Sequence, residues 1–374
     1  MPKVMLGNDL VINEDSCNLS CEYCLTGQSN LKDNHRLQLI FQPPKRDTYS
    51  PGTELAERVD TVADRLRTRF DLPLLKVTGG EIFVVKGIMD FLAKEAAKYE
   101  VLVVQTNAML VKPEHLEQLQ SFGNVVMQIS LDSHLPFGNS YRVSTVAQHE
   151  KLIASITRIL RSGLATEIYT VLNDRSVTEL EQFAGWLSGF ERAPVFFPFP
   201  VRGPDAEQFK VRPDQVSLIE GFAAKYDKYA DVLPPPAYFK RLIRFYTEGR
   251  RNFRCHLPRL VVSTFSDGVV TPCPNIWFSD MGNVLETHAG DAADGGADPV
   301  LDRIGKTGMY KALLAPKPRL NACHGCFTPW DTLSMYFDDE ITLDELCAAP
   351  TYSPDRIRQL LAQMKADYVA GQTD

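Results

Sequence analysis

The chain has 374 residues, of which 44% are hydrophobic and 23% charged, a composition typical of a folded protein with one large and one smaller domain, or with two ordinary domains. Its net charge of −7 argues against a general nucleic-acid-binding surface and against binding to an anionic membrane. The sequence contains neither a signal peptide nor a run of about 18 apolar residues, so we expect a cytoplasmic protein without a membrane span.

The N-terminal half alternates short apolar runs with longer amphipathic ones. The apolar runs predict six strands, at residues 4–12, 74–80, 101–107, 125–132, 167–173 and 194–200. The amphipathic runs predict helices near 53–70, 86–98, 113–121, 143–163 and 177–189. This alternation predicts βαβ units with a parallel sheet, as an open six-stranded barrel or a doubly wound sheet.

The C-terminal part shows helical patterns and one hairpin. Helices are expected within 212–226, 237–249 and 353–368. Ser266-Asp267-Gly268 separates two apolar runs and predicts the turn of a β-hairpin. Two further segments, 28–52 and 287–299, are polar or Gly-rich and predict loops.

The eight cysteines fall into two groups, with none between residues 25 and 254. They are Cys17, Cys21 and Cys24 near the N-terminus, and Cys255, Cys273, Cys323, Cys326 and Cys347 in the C-terminal part. Because thiols stay reduced in the cytoplasm, such groups indicate metal binding or catalysis more often than disulfides. The split indicates two metal sites.

The N-terminal trio offers three thiolates, which is one fewer than a closed site needs. Three cysteines bind three irons of a [4Fe–4S] cluster and leave the fourth iron open to an amine and a carboxylate of a small molecule. The alternatives are a zinc knuckle or three structural cysteines.

The pattern Cys17-x3-Cys21-x2-Cys24, with Tyr23 before the last cysteine and a predicted strand before the first, resembles the signature of the radical S-adenosylmethionine (SAM) superfamily. The resemblance implies a partial (β/α)6 TIM barrel as the radical SAM core. It also implies that the open iron binds SAM, that SAM is cleaved reductively to a 5′-deoxyadenosyl radical, and that this radical takes a hydrogen atom from the substrate.

Further motifs follow the later predicted strands, whose carboxyl ends share one face of a parallel barrel. By the same resemblance, "TGGEIF" contributes the SAM-binding residues Gly79, Gly80 and Glu81. The other expected cofactor-binding residues at strand ends are Asn107, Ser130, Asp132, Asn173 and Arg202, besides Tyr23 in the cysteine loop.

The C-terminal cysteines Cys255, Cys273, Cys323 and Cys326 make four ligands, because the predicted hairpin brings the first two together and the last two form a CxxC. Their spacing resembles that of the SPASM and twitch domains of many radical SAM enzymes, and the lack of cysteines directly after Cys326 resembles the shorter twitch type. The resemblance implies one auxiliary [4Fe–4S] cluster; a structural zinc site is the alternative. Cys347 is left over and is expected to be buried.

The resemblance divides the chain into a radical SAM core (1–235) and a small α+β twitch/SPASM-like domain with a C-terminal helix (236–374). It implies hydrogen abstraction from a small polar metabolite, such as a sugar, aminocyclitol or nucleoside, leading to dehydrogenation, epimerisation or rearrangement. The electron donor would be flavodoxin or ferredoxin. Only sixteen residues precede Cys17, so we expect no fused leader-binding domain, and a maturase that epimerises or crosslinks a ribosomal peptide is the alternative.

Overall fold

The structure is a computed structural model that describes residues 3–12, 17–24, 53–203, 206–274, 281–285 and 300–371. The two loops predicted at 28–52 and 287–299 lie outside these residues. No helix among the described residues is long and apolar enough to cross a bilayer.

The six predicted N-terminal strands are confirmed, and neighbouring members of this set pair in parallel. They are β1 (Gly7–Ile12), β2 (Leu74–Gly79), β3 (Val101–Thr106), β4 (Val125–Ser130), β5 (Ala165–Leu172) and β6 (Val195–Pro200). The first predicted strand is interrupted after Val4, because Lys3–Val4 pairs separately with Phe70–Asp71.

The sheet contains two more strands than the six expected, β7 (Val261–Phe265) and β8 (Val270–Thr271). They form the predicted hairpin, whose turn contains Gly268 at φ +89°, a conformation that favours glycine. Strand β7 also pairs in parallel with β1, which the sequence did not indicate. The strand order is β8-β7-β1-β2-β3-β4-β5-β6, and the sheet is not closed among the described residues.

Helices connect the strands and cover the sheet. The longer ones are α1 (Thr53–Arg69), α2 (Ile88–Ala96), α3 (Pro113–Phe122), α4 (Val146–Arg161), α5 (Leu180–Leu187), α6 (Val216–Ala223), α7 (Pro236–Glu248), α8 (Asp331–Phe337) and α9 (Asp355–Ala370). Short helices lie at Ala206–Phe209, Leu257–Leu260, Gly308–Leu313, Asn321–His324 and Leu343–Leu346. Single 3₁₀ turns lie at Ile82–Val84, Ser176–Glu179, Pro213–Gln215, Tyr226–Lys228, Leu301–Arg303 and Pro350–Tyr352.

Local sequence explains where several helices begin and end. Pro113 starts α3, and Gly123 follows its last residue at φ +76°. Thr145 caps α4 by accepting a hydrogen bond from Gln148 N at 3.2 Å. These helices bury apolar faces against the sheet, so the strand ends and their loops are held in fixed positions.

Candidate functional site

A cavity of about 260 Å³ extends from the carboxyl ends of the strands into the barrel. Nine of the predicted site residues line it: Cys17, Cys21, Cys24, Tyr23, Gly79, Gly80, Asn107, Ser130 and Arg202. Residues from the C-terminal part, Pro274 and Thr328 to Trp330, line it as well. The cavity therefore lies between the barrel and the C-terminal part of the chain.

Hydrogen bonds hold the cysteine loop against two neighbouring loops. Cys24 N donates to Cys21 O at 3.0 Å, and Glu22 N donates to Tyr141 O at 2.9 Å. Asn107 Nδ2 donates to Asn18 Oδ1 at 2.8 Å and lies 3.7 Å from Cys17 Sγ. The loop is thus fixed by the strand ends that the sequence places near it.

A buried arginine that the sequence motifs did not indicate lies beside the trio. The Arg142 guanidinium is 3.5 Å from Asp132 Oδ1 and 5.9 Å from the centre of the Tyr23 ring, and it lines the cavity. Asp132 also accepts hydrogen bonds from the Tyr23 hydroxyl and from Val171 N. The Arg142 guanidinium thus places a positive charge near the three thiols, and the Asp132 carboxylate partly offsets it.

The cysteine trio supplies three sulfur ligands, which is the donor set of an iron–sulfur cluster with one open iron. Burial raises the pKa of the Cys21 thiol to about 12 and also raises the pKa of Cys17, and a bound metal would favour the thiolates against these shifts. Cys17, Cys21 and Cys24 would hold such a cluster.

The glycine pair after β2 allows close contact between neighbouring backbones. A Cβ on Gly79 would lie 1.8 Å from Ile12 O, so only glycine fits there. Glu81, in contrast, does not line the cavity: its carboxylate accepts from Thr106 Oγ1 and Asn107 N, both at 2.7 Å, and from Phe83 N at 3.1 Å. In this structure Glu81 braces the ends of β2 and β3, and its contact to SAM stays a prediction.

Two other predicted contacts to the cofactor also lie behind the cavity wall. Asp132 is bound to Tyr23 and Arg142, and Asn173 accepts from Arg175 N and Ser176 N at 2.9 and 2.8 Å. Neither residue lines the cavity. Their part in SAM binding remains a prediction, whereas their part in shaping the strand ends is visible.

Arg251 brings the C-terminal cysteines together. Its guanidinium donates to Cys326 O at 3.2 Å and forms a buried ion pair with Asp331, and its backbone N donates to His324 O at 2.7 Å. The charges of Arg251 and Asp331 act on the thiols of both Cys255 and Cys323. Arg251 thus holds the CxxC loop beside Cys255.

The C-terminal cysteines are buried or half-buried. Cys273 is buried with Leu313 in a small apolar cluster against which Cys323 packs, which brings all four predicted auxiliary ligands into one region. Burial raises the pKa of Cys323 to about 12 and that of Cys255 to about 11. Cys347 is buried in the main core, as predicted.

Comparison with known proteins identifies a domain. Residues 15–187 match the family model described as the radical SAM superfamily. This part of the chain is a radical SAM domain. The matched residues contain the cysteine trio and β2 to β5, and the cavity is lined in addition by residues outside the match, on β1, on β6 and in the C-terminal part of the chain.

Relatives of the radical SAM domain include enzymes with different products. A GTP 3′,8-cyclase of Helicobacter pylori is 29% identical over 180 residues, which cover 45% of this chain and 49% of that protein. Neomycin C epimerase of Streptomyces fradiae is 24% identical over 253 residues, covering 66% and 69%. The chain thus spans about half the length of the first of these relatives.

Solved structures share the fold. Streptococcus suis SuiB bound to S-adenosylmethionine superposes with a TM-score of 0.58 at 14% identity, covering 85% of this chain and 77% of that one. SuiB bound to its precursor peptide SuiA gives a TM-score of 0.55 at 16% identity, covering 86% and 70%. These likenesses concern the fold alone.

Proposed function

We propose that this chain cleaves SAM reductively at a [4Fe–4S] cluster held by Cys17, Cys21 and Cys24, and takes a hydrogen atom from a small polar metabolite. A sugar, an aminocyclitol or a nucleoside would suit, with dehydrogenation, epimerisation or rearrangement as the outcome. The observation that carries the proposal is that the cysteine trio and polar side chains of the barrel interior line the same cavity.

The residues of the chain position and shield the reactants. When bound, the reduced cluster supplies the electron that splits SAM into methionine and the 5′-deoxyadenosyl radical. Gly79 and Gly80 offer their backbone to SAM at the strand end, and Tyr23, Asn107, Ser130 and Arg202 offer polar groups to it. Trp330 and its neighbours cover the cavity from the C-terminal side, which excludes water from a radical.

A second cluster belongs to the same proposal. Cys255, Cys273, Cys323 and Cys326 would hold one auxiliary [4Fe–4S] cluster, whose four ligands leave no iron for substrate. It would relay electrons or support the fold, and flavodoxin or ferredoxin would be the external donor. Arg202 lines the cavity and hydrogen-bonds Cys326, so one side chain connects the two sites.

The metabolite and the peptide proposals rest on different relatives. Neomycin C epimerase, a relative matched over 69% of its length, is named for the epimerisation of neomycin C. SuiB, similar in fold, binds a precursor peptide, so peptide modification is the alternative. The polar barrel interior favours the metabolite.

Metal analysis and single cysteine variants test the proposal. Anaerobically purified protein should contain about eight irons per chain, and Cys21→Ala should abolish 5′-deoxyadenosine formation. Cys255→Ala should keep the SAM-responsive cluster and lose about half of the iron, while the buried Cys347→Ala serves as control with full iron. Continued SAM cleavage by Cys21→Ala, or zinc in place of iron, would contradict the assignment.

A further inference from the structure

Polar side chains from five strands line the barrel interior next to the cysteine trio. Asp9, Lys76, Gln105, Ser130 and Tyr169 line the cavity from β1 to β5. The interiors of related barrels are normally filled with branched apolar side chains. A polar interior that stays folded needs partners for its buried groups.

Asp9 and Lys76 form a long ion pair with each other, and the carboxylate is incompletely hydrogen-bonded. They face each other in the register of β1 and β2, and they are 2% and 5% exposed. Asp9 Oδ1 lies 4.0 Å from Lys76 Nζ, which is too far for a hydrogen bond. Among the described residues Asp9 Oδ1 has no hydrogen-bond partner, and the same holds for Gln128 Oε1 on β4 and Ser263 Oγ on β7.

Burial of this pair is costly unless a ligand or ordered water completes it. Burial raises the pKa of Asp9 and lowers the pKa of Lys76, while their mutual attraction opposes both shifts. The Asp9–Lys76 ion pair therefore adds little to the stability of the fold. Both groups line the cavity, where they can bind a polar ligand.

Aromatic rings flank the lysine. The ammonium lies 5.2 Å from the centre of the Trp330 ring and 5.6 Å from that of Tyr169. Trp330 follows Cys326 in the chain, so the C-terminal part supplies one wall of this end of the cavity. Lys76 precedes Gly79 by three residues, about 10 Å along the strand, which leaves depth for one ring beneath the cysteine trio.

Resting on the proposed function, we propose that Asp9 and Lys76 bind adjacent hydroxyl groups, or an amine beside a hydroxyl, of a saturated polyhydroxylated ring. A hydroxyl donates to the Asp9 carboxylate and accepts from the Lys76 ammonium at once, which satisfies both. The pair itself has no net charge, and a phosphate or carboxylate bound to Lys76 would also meet the Asp9 carboxylate. The Arg202 guanidinium, which lines the same cavity, is hydrogen-bonded to Cys326. The C–H face of the ring packs on Trp330 and Tyr169.

Calorimetric titration of the anaerobically reconstituted, SAM-bound full chain tests this assignment. The probes are 2-deoxystreptamine and myo-inositol, with glucose 6-phosphate and tetra-alanine as contrasts. At least one ring probe should bind the wild-type chain better than both contrasts. Asp9→Asn and Lys76→Met should each weaken that binding about tenfold or more. The surface variants Asp64→Asn and Lys94→Met, which make the same chemical changes elsewhere, should leave it unchanged.

The outcomes separate this inference from the proposed function. Absence of ring binding by the wild-type chain, unchanged affinity in both Asp9→Asn and Lys76→Met, or preference for the phosphate or the peptide would each overturn the assignment. If a variant loses its iron, the assignment is tested on the wild-type chain by hydrogen exchange with and without the ring probe. Bound probe should slow the exchange of the backbone amides in residues 328–331, and unchanged exchange there would overturn the assignment. A wild-type chain without iron or without SAM cleavage would instead refute the proposed function.

Discussion

Single residues that no motif contains organise both predicted metal sites. Arg142 places its charge beside the cysteine trio, and Arg251 anchors the CxxC loop. All five N–H groups of the Arg251 guanidinium have acceptors: Phe253 O, Cys326 O, Arg254 O and both carboxylate oxygens of Asp331. Because every N–H group of this guanidinium is hydrogen-bonded, Arg251 fixes the positions of the loops that it contacts.

Arg251→Lys should dismantle the auxiliary site and spare the first one. Lysine keeps the charge but cannot reach the same acceptors, so the CxxC loop loses its anchor. Iron content should fall from about eight to about four per chain, while SAM still changes the spectrum of the remaining cluster. The neighbouring exposed Arg250→Lys is the matched control. Full iron in Arg251→Lys would show that the cysteines find their places without this anchor.

The residues that the sequence revealed carry local patterns. Cys17, Cys21 and Cys24 follow one another at short spacing, and Gly79-Gly80 ends an apolar run that predicts a strand. These residues can therefore be assigned a chemical role from the sequence alone. Arg142, Arg251, Asp9 and Lys76 acquire their roles only through partners on other elements. Even a paired register such as Asp9 with Lys76 cannot be deduced from two separate apolar runs.

At the scale of elements, the periodicity of apolar residues predicts the strands and helices of the barrel, but it does not predict that β7 pairs with β1. An apolar run bounded by turns predicts a strand, whereas the strand that lies next to it in the sheet depends on how the whole chain packs. Ser266-Asp267-Gly268 predicts the hairpin, whereas its place beside the first strand depends on both runs being buried.

Helix α2 provides a pH-dependent contact with α1. The Glu95 side chain is fully buried, and it accepts one hydrogen bond from Lys98 Nζ at 2.7 Å. Lys98 also binds Asp60 and Asp64 of α1, at 3.2 and 2.7 Å. Burial raises the pKa of Glu95 from 4.5 to about 7, against the attraction of Lys98.

Glu95→Gln should therefore gain stability relative to the wild type as pH rises. Below about pH 4.5 both the folded and the unfolded wild type carry the proton, so the carboxyl adds no penalty. Between about 4.5 and 7 the unfolded state releases the proton first, and wild-type stability falls by up to about 3 kcal/mol. Anaerobic urea unfolding at pH 5 and pH 8 measures the difference between variant and wild type. An equal difference at both pH values would contradict the raised pKa.

At the scale of the whole molecule, the sheet runs across the boundary predicted at residue 235. Five residues of β1, Gly7 to Val11, pair with Val261 to Phe265 of β7. Leu6 N and Ser266 N extend this ladder with bonds of 2.8 and 2.9 Å. Both parts of the chain also form the cavity, since Trp330 of the C-terminal part lines it together with residues of the barrel strands. The predicted core and the predicted C-terminal domain thus share a sheet and a cavity.

The fragment 1–235 should consequently fail to behave as an independent barrel. Without β7 it would expose the edge of β1, a buried strand whose unpaired N–H and C=O groups invite association with other chains. We expect aggregation in size-exclusion chromatography and rapid hydrogen exchange at residues 7–12. Co-expression with the fragment 236–374 should restore a monodisperse pair with protected β1 amides, because the missing strand is then supplied. A fragment 1–235 that stays monodisperse with β1 protected would mean that the sheet tolerates an open edge there, and that the barrel folds without the strand that now completes it.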